Sequence, residues 1–180
     1  MLVVGMARTL YGRNNGETSR PYHVWVPEDL ISIDDPTAPD VTALLGLHLT
    51  HMRTLSPPEN VFALDVTGLL DPGMTLYSCR RVGELLGIGA LKDLGNRHGE
   101  IKSMHTAATA RRGGIGRAML THLIGVARTR GYRLLSLETG SMAGFQAARA
   151  MYASAGFTEC PAFGDYAPSP YSTFMELPLR

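Results

Sequence analysis

Along the middle of the chain the spacing of apolar residues changes twice. Glu100 to Ala107 reads as a strand, and from Ile115 the spacing becomes helical. Ile115, Met119, Leu123 and Val126 fall on one side of that helix, and Arg117, Thr121 and Arg128 on the other. Arg130-Gly131 suits its C-terminus, and Arg133 to Glu138 returns to a short apolar strand. Strand, helix and strand in this order imply a parallel pair with a right-handed crossover. Upstream, Leu30 to Asp34 alternates as a first strand, and a helix is expected from about Asp40 to Thr54, carrying Leu44, Leu45, Leu47, His48 and His51. Ser56-Pro57-Pro58-Glu59 signals a second helix, running to about Leu70 and stopped by Asp71-Pro72-Gly73. Strands follow at Thr75 to Arg80, Glu84 to Leu94 and Glu100 to Ala107, the first two joined through Val82-Gly83. A helix from Phe145 to Ala155 ends at Gly156, and strands at Phe157 to Phe163 and Tyr171 to Leu177 close the chain. Residues 1–29 read as an extension, partly disordered, with Val24-Trp25-Val26 as a sheet-edge strand cut short by Pro27. Residues 30–180 then form one domain with neither repeat nor linker.

Composition narrows the function. A chain of 180 residues with a 44% hydrophobic fraction can bury a sizeable core. The formal net charge of +1 gives no general pull toward nucleic acid or membrane. Cys79 and Cys160 have no metal or redox spacing, so buried packing in a reducing compartment is expected. No apolar run approaches the ~20 residues of a membrane span, and no secretory signal is apparent, so the expected location is cytoplasmic.

The chemistry concentrates in Arg111-Arg112-Gly113-Gly114-Ile115-Gly116, between a strand and a helix. The first amides of a helix lack internal partners and point outward, and glycines let a phosphate approach the backbone. Arg111, Arg112 and Arg117 add charge of the right sign. The loop lacks the Lys-Ser/Thr ending of a P-loop and the spacing of a dinucleotide fingerprint. It resembles instead the pyrophosphate loop of the GNAT superfamily of N-acetyltransferases, Gln/Arg-x-x-Gly-x-Gly/Ala. The element order over residues 30–180 is similar to the GNAT order. Ala148 to Phe157 (ARAMYASAGF) resembles that family's A-x-x-L-Y-x-x-x-G-F. His98 to Met104 and Leu137 to Met142 resemble a bacterial branch typified by YsnE. Phe145 is a departure, since many members carry Asn there.

The resemblance implies an α+β GNAT fold: a central, mostly antiparallel twisted sheet with helices on both faces, its parallel pair splayed around acetyl-CoA. It implies backbone contacts to pantetheine from Met104, His105 and Thr106. The pyrophosphate would sit on Arg111, Arg112, Gly113, Gly114, Ile115, Gly116 and Arg117. Tyr152 matches the tyrosine that faces the CoA sulfur, with ordinary helix packing as its alternative. Glu100 sits where the histone-acetyltransferase branch has its general base. A free Glu titrates at about 4.3, and Lys102 on the same strand face would hold it lower still. Glu100 is therefore either that base or a structural or substrate-orienting carboxylate. Arg149 is read as a phosphate contact or a solvated charge.

The acceptor pocket would draw on the first two helices and the closing loop. His51, Arg53 and Ser56 are its substrate candidates, with His48 and Glu59 nearby and Asp165, Tyr166 and Tyr171 opposite. Arg53 suits a substrate carboxylate or the C-terminal end of its own helix dipole. His51 is the candidate alternate base. His48 and His51 lack a third ligand, so no metal is expected. The implied activity is acetyl transfer from acetyl-CoA to the amine of a small or amino-acid-like acceptor, in a ternary complex and with a homodimer as the family-level assembly. A protein amine, another acyl-CoA, or a non-catalytic acyl-CoA-binding module are the alternatives.

Overall fold

A computed structural model describes residues 30–55 and 64–180, apart from the side chains of His51 and Leu55. The expected extension at 1–29 and the Ser56-Pro57-Pro58-Glu59 helix start lie outside these residues. In order, the elements are β1 (Ile31–Ile33), α1 (Pro39–Leu55), α2 (Val66–Leu69), β2 (Met74–Arg81), β3 (Glu84–Asp93), β4 (His98–Thr106), α3 (Ile115–Thr129), β5 (Leu134–Gly140), α4 (Gln146–Ser154), β6 (Thr158–Glu159) and β7 (Ser172–Pro178). They build a seven-stranded sheet ordered β1-β2-β3-β4-β5-β7-β6, in which β4 and β5 are the parallel pair and the rest are antiparallel.

Each face of the sheet is covered according to the apolar pattern. On α1, Val41, Leu44, Leu45 and His48 are buried at helical spacing, and the first three pack with Leu76, Ile88 and Ala90 of the sheet. The opposite face receives α3 and α4, where Met119, Leu120, Leu123 and Tyr152 pack with Ile101, Leu135 and Leu137. Residues 82 and 83 turn the β2–β3 hairpin with φ of 51° and 83°, the left-handed values such a two-residue loop needs.

Two expectations are corrected. The second helix is not continuous to Leu70: Asp65 is extended and caps a separate turn by accepting from the Gly68 amide, so α2 starts at Val66. The strand expected over Phe157 to Phe163 is only Thr158–Glu159, because the following segment leaves the sheet edge and sends Phe163 and Tyr166 back against Phe174.

The start of α1 is tied to the sheet by charge. Arg80 on β2 donates from Nε to Asp34 Oδ2 at 2.9 Å and from Nη1 and Nη2 to Asp40 at 2.5 and 3.1 Å. Ser78 also donates to Asp34, at 2.5 Å. Burial pushes the Asp34 carboxyl up, but the bonds from Ser78 and Arg80 outweigh it and hold the group below the ordinary carboxylate range. A carboxyl depressed in the folded state contributes stability above its unfolded pKa and loses it as pH falls through the folded one. Asp34→Asn is therefore expected to cost ~1–2 kcal/mol near neutrality. In denaturant unfolding across pH, that difference should shrink toward zero in acid.

Candidate active site

The loop between β4 and α3 makes a cradle of amides. After a 3-10 turn at Ala108–Ala110, Arg111 is extended, Arg112 has φ 62°, and Gly114 has φ 83° and ψ −4° as the N-cap of α3. No side chain caps this helix and no acid stands in its first turn. The amides and the positive end of the helix dipole are thus left for an external anion. Arg111, Arg112 and Arg117 are exposed around the cradle.

The cradle opens into a gap in the sheet. β4 and β5 pair from His98↔Leu134 to Ile101↔Leu137 and no further, although β4 continues to Thr106 and β5 to Gly140. On their far sides these continuations remain paired, with β3 and β7. Each therefore turns one unpaired backbone edge toward a cavity of about 680 Å³. The register against β3 slips between Ile88 and Ala90, so Ser103 and Met104 together oppose Gly89. Ser103 has φ 52°, lines the cavity and is buried, and its Oγ has no partner among the described residues.

At the inner end, α4 contributes Tyr152 and the turn before it contributes Phe145. A Cβ on Gly140 would lie 2.3 Å from the Phe145 ring, so only glycine at the end of β5 admits this side chain. Burial, and then the Glu138 carboxylate, raise the Tyr152 phenol well above its usual range. Burial also raises the carboxyl of Glu138, which lines the cavity from β5.

On the α1 face of the sheet, Glu100 is 3% exposed. It accepts from Lys102 Nζ at 3.1 Å and from Tyr166 Oη at 2.5 Å. Lys102 Nζ also donates to Tyr166 Oη, at 2.5 Å. Farther along β4, the Nδ1 atoms of His105 and His48 lie 3.2 Å apart.

Residues 41–157 match the acetyltransferase (GNAT) family. The chain belongs to that family. It is 49% identical over 145 residues to the uncharacterized N-acetyltransferase YsnE of Bacillus subtilis, across 81% of this chain and 96% of YsnE. It is 36% identical over 156 residues to an IAA acetyltransferase of Azospirillum brasilense, across 86% of this chain and 100% of that protein. A solved structure of a candidate acyl-CoA N-acyltransferase from Klebsiella pneumoniae superimposes with a TM-score of 0.69 at 30% identity, across 83% of this chain and 97% of that one. The mixed sheet with its splayed parallel pair is thus a GNAT fold.

Most of the residues expected to meet the cofactor are brought together. Met104, His105, Thr106, Arg111, Arg112, Gly114, Ile115, Gly116 and Arg117 all line the cavity, while Gly113 is not part of the lining. Tyr152 lines it too; Glu100 does not, although Lys102, which donates to it, does. Arg53 is exposed in the last turn of α1 and is not among the described residues of the lining. Ser56 and the His51 side chain lie outside the described residues. Arg149 is not directed at a phosphate: its Nη1 donates to the carbonyls of Gly140 at 2.5 Å and Met142 at 3.1 Å. Of the residues named opposite, Tyr166 reaches Glu100, whereas Asp165 and Tyr171 are exposed.

Sequence reasoning passed over Glu138 and Ser103, and preferred His51 to His48. The signal for His48 was present, since it continues the Val41, Leu44, Leu45 stripe by one turn. Among the described residues no group of three or more His, Cys, Asp or Glu is placed to hold a metal ion, and no helix is long and apolar enough to cross a membrane.

Gly114 and Gly116 respond oppositely to a methyl group. Gly114→Ala places a Cβ at a left-handed residue, φ 83°, and should cost about 1–2 kcal/mol. Gly116→Ala meets only Met151 Sδ at 3.4 Å and Thr106 Oγ1 at 3.5 Å, both ordinary contacts, inside a helix where Ala is favoured. Thermal unfolding should place the first variant below the wild type and the second at or above it.

Proposed function

We propose that this GNAT protein moves an acetyl group from acetyl-CoA to the amine of a small-molecule or amino-acid-like acceptor, by direct attack with both bound. The observation that carries the reading is the gap, walled by two unpaired strand edges and ending on an amide cradle ringed by arginines. A pantetheine arm is a chain of amides and fits between such edges as an added strand would. The orphaned Ser103 Oγ offers it a further hydrogen bond. Backbone groups of Met104, His105 and Thr106 would hold the arm. The amides of Gly114, Ile115 and Gly116 would hold the pyrophosphate, with the side chains of Arg111, Arg112 and Arg117. Bound acetyl-CoA supplies the activated thioester.

Tyr152 donates to the sulfur as it becomes a thiolate. Burial keeps the phenol protonated through neutral pH, and the same shift makes complete proton transfer more uphill, so its contribution is a hydrogen bond. Glu100, held by two donors behind the lining, takes the orienting role rather than that of the base. It fixes Lys102 and Tyr166 where an acceptor would lie. Phe145 narrows the wall beside Gly140 and favours acetyl over larger acyl groups. The relative named an IAA acetyltransferase supports a small-molecule acceptor. A cytoplasmic location and a homodimer complete the reading.

Thermal unfolding with acetyl-CoA, CoA, ATP and NAD at matched concentrations tests the cofactor. A ligand at ~100 times its Kd adds ~2.7 kcal/mol, a rise of roughly 5–11 °C for a chain this long. Acetyl-CoA and CoA alone should produce it; no shift from either in a folded sample removes the assignment. Tyr152→Phe should keep that stabilisation and lower kcat about 10–100-fold, followed by thiol release against a panel of amines. An unchanged kcat would make Tyr152 a packing residue.

A further inference from the structure

We propose that Glu138 seats the ammonium of the acceptor, and that the acceptor is a primary amine with no carboxylate on the carbon that bears it; this rests on the amine-acetylation reading above and narrows it. Glu138 is the only acid among the described residues that line the cavity. It is also the first residue of β5 beyond the last pair with β4, Ile101↔Leu137, so it stands where the gap begins.

Its face follows from strand alternation. Leu135 and Leu137 pack into the core beneath α3 and α4, so Glu138 points to the α1 face. Across the antiparallel pair it opposes Phe174, whose ring packs with Phe163 and Tyr166. On β4, Ile101 packs into the same core as Leu137, so Glu100 and Lys102 on either side of it also reach the α1 face. Glu138 thus lies beside the Glu100–Lys102–Tyr166 cluster, and its charge also reaches Tyr152 on α4. That is the junction between the position of the sulfur and the side from which an acceptor comes.

Glu138 has no cation of its own. Among the described residues it closes no salt bridge, because Lys102 Nζ is committed to Glu100 Oε1 at 3.1 Å and to Tyr166 Oη at 2.5 Å. Burial raises the Glu138 carboxyl, Ser172 of β7 lowers it, and the charges of Lys102 and Glu100 oppose one another across it. The Ser172 Oγ is itself buried with no partner among the described residues, so it comes near without closing a bond. Farther along β4, His105 meets His48, and the lining arginines stand around the phosphate loop. A half-buried carboxylate without a counter-ion is costly, and a ligand ammonium removes that cost.

The same arrangement excludes a class of acceptor. An α-amino acid carries its carboxylate on the carbon that bears the amine. Seating its ammonium on Glu138 would bring that carboxylate beside Glu138, with Lys102 already matched by Glu100. Like charges so placed oppose binding. The site selects for amines by attraction and against free amino acids by repulsion.

The test has two arms. The first measures thiol release from acetyl-CoA with acceptors that differ only in the carboxylate: phenethylamine against phenylalanine, isoamylamine against leucine, agmatine against arginine. In every pair that turns over, kcat/KM should favour the amine by about 100-fold or more. An amino acid used as well as its amine would overturn the proposal. Glu138→Gln should raise KM for the preferred amine about 10–100-fold and bring each pair to within a few-fold. Glu138→Asp, which keeps the charge, should keep the preference. A purely structural Glu138 would leave the ratio within each pair unchanged in Glu138→Gln, and that result would also overturn it.

The second arm needs no turnover. Thermal unfolding of the protein saturated with CoA is followed with each amine and each amino acid added. An amine should add a further rise that its amino acid does not, and Glu138→Gln should abolish it. That pattern without turnover of any amine would sink the acetyl-transfer reading and leave the subsite standing. Turnover that favours the amino acids would do the reverse. Neither rise nor turnover with any of these compounds, in a sample that CoA stabilises, would overturn the subsite.

Discussion

Backbone pairing between β4 and β5 stops at Ile101 and Leu137, and the geometry of the site descends from that interruption. Unsatisfied strand edges inside a protein are costly, and an ordinary parallel pair would close over them. Two devices hold the gap open. The Ser103 bulge turns β4 aside just beyond the last paired residue, at the cost of a left-handed serine. On the other side the Phe145 ring packs against Gly140, while Arg149 binds the Gly140 and Met142 carbonyls and pins the end of β5 to α4. Arg149 thus acts on the gap through the backbone it holds.

The bulge also sorts side chains. It sends Met104 to the α3 side and His105 to the α1 side, in register with Ile88. Gly89 stands opposite because a Cβ there would come within 3.0 Å of Met104 Sδ and Met119 Cγ. Small residues on β3 and a bulge on β4 are one arrangement, since neither fits without the other. The Arg80 tether to Asp34 and Asp40 adds the third part, fixing the start of α1 so that His48, farther along the helix, arrives above His105.

The sequence made the frame legible wherever one pattern governed several residues. The α3 stripe, the glycine loop and the strand–helix–strand order each repeat a signal, and the helix appears within a residue, the strands within two residues, of where they were expected. Single contacts were not legible. Asp65 reads as one more residue of a helix until its carboxylate is seen on the Gly68 amide. Arg149 reads as a phosphate contact or a solvated charge in the sequence, and two carbonyls claim it in the fold. His51 and His48 are equal candidates by chemistry, and only the buried stripe of α1 separates them. A bulge leaves no periodic trace, so the face on which His105 falls could not be counted along the strand.

Charge divides the cavity in two. Around the cradle stand exposed arginines and a helix N-terminus without an acid, a field suited to phosphates. The inner end is drier: burial raises Tyr152 and Glu138 together, and the Glu138 charge raises Tyr152 further. Glu100 belongs to neither part. Its carboxylate is already met by Lys102 and Tyr166. A carboxylate so held anchors both donors. It ties Lys102 to Tyr166, so the cation that β4 contributes to the cavity lining is fixed from behind.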